Sequence, residues 1–281
     1  MIKYKHYYLS TSRGVIIGNI KLLVYQVLFF RREVLMKKKY EILENYSIEF
    51  EGRKLYRIRA IRDFGSVQGG ELGGWVANAA NLSQQGACWI EEDAKVYDSA
   101  MVCDDAVIRD EAKVFGYAKV YGKSVISGKA TIYDFAKCYN ARISDEAIIK
   151  NTASIFNSEV SDQAMVCDMA RVSNGRISNK AKIFGEARVD GCMNVVGIFD
   201  NHNVYAVTEI CGEAMVFERA RVFGGATVCD QAKVYGKAGI YHNAIISGRA
   251  HIYGDAEIFC KIHDDYVEKG KVFEFGVFAT A

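Results

Sequence analysis

The sequence contains no proline, and its 25 glycines are scattered over 281 residues. Without a Pro-rich or Gly/Ser-rich linker, one continuous body is favoured over separate domains. The formal net charge is only +2, and no basic stripe is visible along the chain. A nucleic-acid partner is therefore not expected. With half of its residues apolar and a quarter charged, the chain has the composition of a soluble globular protein.

Long apolar runs are also lacking, apart from Val15 to Phe30, which Asn19, Lys21 and Gln26 interrupt. That run is shorter than a membrane span and has no small-residue cleavage site after it, so no membrane association is expected. Residues 1–35 are interpreted as an upstream extension outside the fold, with translation beginning at Met36. The eight cysteines, which suggest small residues in a reducing environment rather than a disulfide framework, predict a cytoplasmic location.

Pairs of cysteines at CxxC spacing are absent among the eight cysteines, and no Cys/His cluster has zinc spacing. We therefore expect no metal site and no disulfide framework. The histidines are few as well, and His242, His251 and His263 do not recur at one position of any repeat. Three converging ligands, as a zinc site requires, are not predicted.

A six-residue repeat dominates what is present. From Ala94 the chain reads AKVYDS, AMVCDD, AVIRDE, AKVFGY, AKVYGK. Apolar residues two apart indicate short strands, and Gly, Asp or Asn at every sixth residue indicates corners. One such unit cannot bury its apolar side alone, so stacked coils are predicted. The fold class is all-β: a single-stranded parallel β-helix with three hexapeptides per turn and an N-terminal β-hairpin cap.

The repeat places the residue after each Val or Ile in one of three columns. Two columns are rich in aromatic residues, and the third is small or polar. Some coils are 17 rather than 18 residues long, which places Ser124, Ala141, Ser158 and Gly175 at equal intervals. One corner of the coil is therefore predicted to be tighter than the others.

After residues 1–35, the predicted organisation has three parts. Residues 36–75 form an N-terminal β cap, in which Tyr46 to Phe64 is a hairpin that turns at Glu51-Gly52. Residues 76–261 form the β-helix, with an irregular insertion at about 190–207. Residues 262–281 form a C-terminal cap strand.

Residues 73–94 read GGWVANAANLSQQGACWIEEDA. This segment resembles the entry segment of the YdcK-like family of hexapeptide-repeat proteins, which are described as transferases of the trimeric acyltransferase superfamily. The resemblance implies a left-handed coil, a homotrimer and, as one functional alternative, an acyltransferase that uses acetyl-CoA. The repeat departs from the acyltransferase form, because the position after the aliphatic residue is aromatic, Cys or Ser. Bactofilin-like filament proteins, which are right-handed triangular β-helices, also have frequent Gly corners.

Two functional interpretations remain open. Under the acyltransferase alternative, His202 in GIFDNHNVY is the candidate general base, because an attacking acceptor must lose a proton. His202 can equally be a turn residue among Asp200, Asn201 and Asn203. The leading hypothesis is a non-catalytic, cofactor-free binding or assembly module, of phage or prophage origin. Its candidate binding residues lie in the aromatic columns: Phe115, Tyr121, Tyr133, Tyr139, Tyr235 and Tyr241. Those columns can also serve only to stabilise the coil walls.

Overall fold

The computed structural model describes residues 38–195, 204–273 and 276–278. From Tyr40 onward these residues form strands and turns, with no helix in the described ranges. Parallel strands stack into three long sheets, which are the three faces of a β-helix. The predicted fold class is thereby confirmed; the left-handedness implied by the resemblance stays a prediction.

Each coil contributes one short strand to each face. The first face contains Lys95–Val96, Lys113–Val114, Thr131–Ile132, Ile148–Ile149, Met165–Val166, Lys182–Ile183, Met215–Val216, Lys233–Val234, His251–Ile252 and Tyr266–Val267. The second face contains Met101–Val102, Lys119–Tyr121, Lys137–Tyr139, Ser154–Phe156, Arg171–Ser173, Arg188–Asp190, Arg221–Phe223, Gly239–Ile240, Glu257–Ile258 and Lys271–Phe273. The third face contains Trp89–Ile90, Val107–Ile108, Val125–Ile126, Arg142–Ile143, Glu159–Val160, Gly175–Ile177, Thr208–Ile210, Thr227–Val228, Ile245–Ser247 and Lys261–His263.

The core is the interior of the prism, filled by the small and aliphatic positions of the repeat. Ala118 and Val120 are fully buried on the second face, as are Ala106 and Ile108 on the third. Cys138 takes an aliphatic position, and burial raises the pKa of its thiol to about 12. It therefore behaves as a small apolar side chain. The strands pair in register, so that equivalent residues of successive coils lie side by side.

The corners require residues that tolerate a positive φ, which explains the recurring Gly, Asp and Asn. Asp110 has φ +60°, and Asp162 has φ +59°. Their carboxylates also accept hydrogen bonds from the backbone N–H of the next coil, at 2.7 Å for Gly128 and 2.8 Å for Asn179. The acidic corner residues thus connect one coil to the next.

The tighter corner lies between the second and third faces. There Asn140 and Ala141 connect Lys137–Tyr139 to Arg142–Ile143, and Asn174 alone connects Arg171–Ser173 to Gly175–Ile177. Buried hydroxyl groups support this corner, because Ser124 Oγ accepts the Ala141 N–H at 3.1 Å and Ser158 Oγ accepts the Gly175 N–H at 3.1 Å. The prediction of one shortened corner is confirmed.

An antiparallel hairpin covers the start of the coil. Strands β1 (Tyr40–Phe50) and β2 (Arg53–Ala60) are joined by Glu51 and Gly52, and β3 (Leu72–Val76) pairs with both β2 and the first face. The hairpin and its turn at Glu51-Gly52 are thus confirmed, but the strands extend from Tyr40 to Ala60 rather than from Tyr46 to Phe64. At the other end the coil continues through the last strand of each face, and Gly276–Phe278 pairs antiparallel with Lys271–Phe273.

Close packing explains the motif that begins the coil. A Cβ at Gly73 would lie 2.5 Å from Trp89 Cζ2, and one at Gly74 would lie 2.5 Å from Ile90 Cγ2. Both positions therefore require glycine, because the buried Trp89 and Ile90 lie directly against the backbone. The GGWV and CWI segments are parts of one packed unit.

Candidate binding face

The predicted aromatic columns are stacks of rings along two corners. The first ladder, beside the first face, contains Tyr97, Phe115 and Tyr133, then Phe184, Phe217, Tyr235 and Tyr253. The second ladder, at the edge of the second face, contains Tyr121, Tyr139 and Phe156, then Phe223, Tyr241 and Phe259. Phe115 and Tyr133 stack with 5.0 Å between their centroids, whereas Tyr121 and Tyr139, also 5.0 Å apart, are tilted by 49°. All six candidate binding residues lie in these ladders, whose role in binding stays a proposal.

Stacking limits what the ladders can offer to a partner. Rings that stack along the coil axis cover each other's faces, so solvent reaches mainly their edges. The first ladder ends beneath the cap, where Phe50 meets Tyr97 edge-on at 5.8 Å. A separate pair, Tyr117 and Phe135, stacks at 5.0 Å on the corner between the first and second faces. These two side chains are 58% and 56% exposed, and the sequence analysis had not selected them.

A column of cations runs along the centre of the second face. Lys119, Lys137, Arg171, Arg188 and Arg221 are all exposed, and Ser154 is the single interruption of the row. Within the described part of the chain, none of the five has an ion-pair partner. Like charges directly opposite each other in neighbouring strands are destabilising. Repulsion between the cations of this column therefore destabilises the second face.

The third face carries charges in alternation. Arg142, Glu159, Arg176 and Glu209 occupy successive coils, with N–O distances of 3.8, 3.3 and 2.8 Å along the row. This face neutralises its own charge, whereas the second face does not. Met101, Phe156 and Met169 are also exposed on or beside the second face. The second face thus combines exposed apolar side chains with positive charges that have no ion-pair partner among the described residues.

The histidines in the described ranges do not converge on a metal centre. His202 lies outside the described residues. His251 stacks on Tyr266 at 4.8 Å, and burial together with nearby Lys233 lowers its pKa. His242 occupies a corner at φ +57°, near Phe259. No group of three or more His, Cys, Asp or Glu side chains in the described ranges could hold a metal ion.

One contact resembles part of a catalytic triad. His263 Nδ1 lies 2.9 Å from Ser247 Oγ, and its Nε2 lies 3.2 Å from Asp264 Oδ2. Ser247 is only 7% exposed, and its hydroxyl also lies 3.5 Å from the Ile262 carbonyl oxygen, which it can donate to. A nucleophile must reach its substrate, and this one is enclosed by the wall. We assign it a structural role.

Neither a family model nor a curated protein matches this chain. In the described ranges there is no helix with the length and apolar character to cross a membrane. The repeat predicts the aromatic columns, but the cation column was not predicted. Its signal was present: Lys or Arg follows the inward Ala in five of six consecutive coils, from Lys119 to Arg221.

Proposed function

We propose that the chain is a non-catalytic binding module, and that the second face binds an extended acidic segment of a partner protein. The observation that carries the proposal is the unpaired cation column. Charge that destabilises the free protein is neutralised when a partner supplies carboxylates. The neighbouring exposed Tyr117, Phe135 and Met169 provide the apolar contact that interfaces use beside charged groups.

An acidic peptide fits this surface better than a nucleic acid. Single-stranded nucleic acids bind by stacking bases on open aromatic faces. Along the continuous parts of both ladders those faces are covered by neighbouring rings. An extended peptide needs only ring edges, aliphatic stems and cations. A trimer, as the resemblance implies, and a cytoplasmic location are part of the same proposal.

The experiment compares charge removal on two faces. The probe is poly-L-glutamate, and the test variant is Lys119→Gln/Lys137→Gln/Arg171→Gln. The control is Arg142→Gln/Arg176→Gln on the third face, where each cation is already paired. We expect the test variant to lose about tenfold in affinity, since exposed charge contacts contribute ~0.2–1 kcal/mol each. We expect the control to bind as the wild type does.

Binding should also weaken as salt rises from low to physiological concentration, because exposed charges are screened. Equal loss in both variants would contradict the proposal, since it would indicate a nonspecific charge effect. Tighter binding of oligothymidylate than of poly-L-glutamate would replace the acidic peptide by a nucleic acid. Transfer of acetyl groups from acetyl-CoA to an acceptor would overturn the non-catalytic assignment.

A further inference from the structure

The second ladder is interrupted in the middle of the coil, and a cleft of about 640 Å³ lies at the interruption. The aromatic residues at its two ends are Phe156 and Phe223. Between them, successive coils carry Ser173 and Asp190 at the ladder position. The cleft is further lined by Asn174, Gly191, Gly224, Tyr241 and His242.

At the interruption, no ring of the described residues stacks on the remaining ring face of Phe156 or of Phe223, whereas the ladder elsewhere covers such faces. Phe156 stacks on Tyr139 at 4.9 Å, and Phe223 stacks on Tyr241 at 5.8 Å, each through one face only. Three coil steps separate Phe156 from Phe223, which at ~4.8 Å per step amounts to roughly 14 Å. That distance admits two further rings at the usual centroid spacing of stacked aromatic groups.

The first ladder is interrupted over two coils as well, but without the same consequence. There Lys150 and Cys167 separate Tyr133 from Phe184. Cys167 is buried and Lys150 is half-buried, and a lysine stem can cover apolar surface beside it. At the second ladder the replacements are a small hydroxyl and an exposed carboxylate, which place neither a ring nor an alkyl stem at these positions. The two interruptions are therefore a matched pair that differ in what fills them.

Polar groups in the same coils indicate the chemistry of a ligand. Arg171 and Ser173 lie two residues apart on one strand, as do Arg188 and Asp190, so all four point outward from the second face. No described residue donates a hydrogen bond to the Asp190 carboxylate or pairs with either arginine. One side of the cleft thus offers an acceptor, and the adjacent column, about 7 Å away along the strand, offers cations.

We propose that this cleft binds a nucleoside phosphate. The base stacks on Phe156 or Phe223 and extends the ladder, and an exocyclic amino group donates to Asp190. The phosphate lies over Arg171 and Arg188, whose planar guanidinium groups suit its oxygens. The site shares Arg171 and Arg188 with the proposed peptide-binding face, but it also uses ring faces that an acidic peptide does not need, so the two proposals can fail separately.

Calorimetry on the full chain with three probes separates the contributions of base and phosphate. The probes are AMP, adenosine and ribose 5-phosphate. We expect AMP to bind about tenfold more tightly than adenosine, because only AMP reaches the arginines. Ribose 5-phosphate should bind far more weakly than AMP, because it has no ring to stack. Binding of ribose 5-phosphate as tight as that of AMP, or no binding of AMP at millimolar concentration, would overturn the proposal.

Filling each interruption gives the decisive variants. Ser173→Phe completes the second ladder and should abolish AMP binding, whereas Cys167→Phe fills the other ladder and should leave it unchanged. Asp190→Phe provides a second filling variant if Ser173→Phe does not fold. Arg188→Gln should weaken AMP binding about tenfold and leave adenosine binding unchanged. Wild-type AMP affinity in a folded Ser173→Phe or Asp190→Phe protein would place the ligand elsewhere and refute the site.

Discussion

The second and third faces pack the same kinds of residue into the core but carry different charge patterns on their outer surfaces. Both place alternating small and aliphatic residues in the core, and both pair their strands in register. Outside, the third face alternates Arg142, Glu159, Arg176 and Glu209, and the second face repeats cations. The parallel stack explains why this matters: every outward position meets its own equivalents above and below. A repeated residue type is therefore a repeated interaction, favourable for rings and unfavourable for like charges.

The largest effect is expected where the two faces agree, in the core. Ala118 on the second face and Ala106 on the third are both fully buried. Ala118→Leu and Ala106→Leu should each lower the free energy of unfolding by ~1–3 kcal/mol, because the prism has no room for three more carbon atoms. Chemical denaturation measures the change, and exposed Lys119→Leu is the control. Unchanged stability in either core variant would show that the inward register is wrong on that face.

A smaller effect is expected at a corner that adjoins the third face. Asp110 combines φ +60° with a 2.7 Å hydrogen bond from the Gly128 N–H. Asp110→Ala loses the bond and keeps the strained backbone, so a loss of ~1–2 kcal/mol is expected. Asp110→Gly loses the same bond but relaxes the backbone, and should cost less than Asp110→Ala. Equal unfolding free energies for the two variants would show that the positive φ contributes nothing at this corner.

The fold could be predicted from the sequence because the same six-residue pattern recurs in every coil. The corners, the tight second–third connection and the hairpin at Glu51-Gly52 all followed from local residue types. The candidate face was only half predicted. The rings at Tyr121 and Tyr139 were identified, but the cations at Lys119 and Lys137 belong to a position that is ordinarily polar in any coil. Their significance depends on what lies beside them in the next coil, and that neighbour is 17 or 18 residues away in sequence.

The cleft at the interrupted second ladder could not be predicted from the sequence for a similar reason. Ser173 and Asp190 are unremarkable residues for a solvent-exposed turn, and the sequence shows them as departures from an aromatic column. Only the stack turns those departures into two open ring faces, because Phe156 and Phe223 are 67 residues apart along the chain and three coils apart in space. The cleft cannot be recognised from sequence separation, but it follows once the fixed spacing between coils is known.

The smallest effect on the unfolding free energy is expected from Arg→Glu substitutions, and the two faces should differ in the sign of that effect. Arg176→Glu on the third face breaks contacts to Glu159 and Glu209 and brings three acids together. Arg171→Glu on the second face instead places an acid beside Arg188. Because the Arg176 side chain is 52% exposed, water screens these interactions, and each change should be within about 1 kcal/mol. We expect Arg176→Glu to lower the unfolding free energy and Arg171→Glu to leave it unchanged or raise it.

The difference between the two variants should shrink at high salt, where screening reduces both attraction and repulsion. Matched urea denaturation at low and high salt measures the pair, and a stability loss of the same size in both variants would mean that the second-face cations do not repel one another.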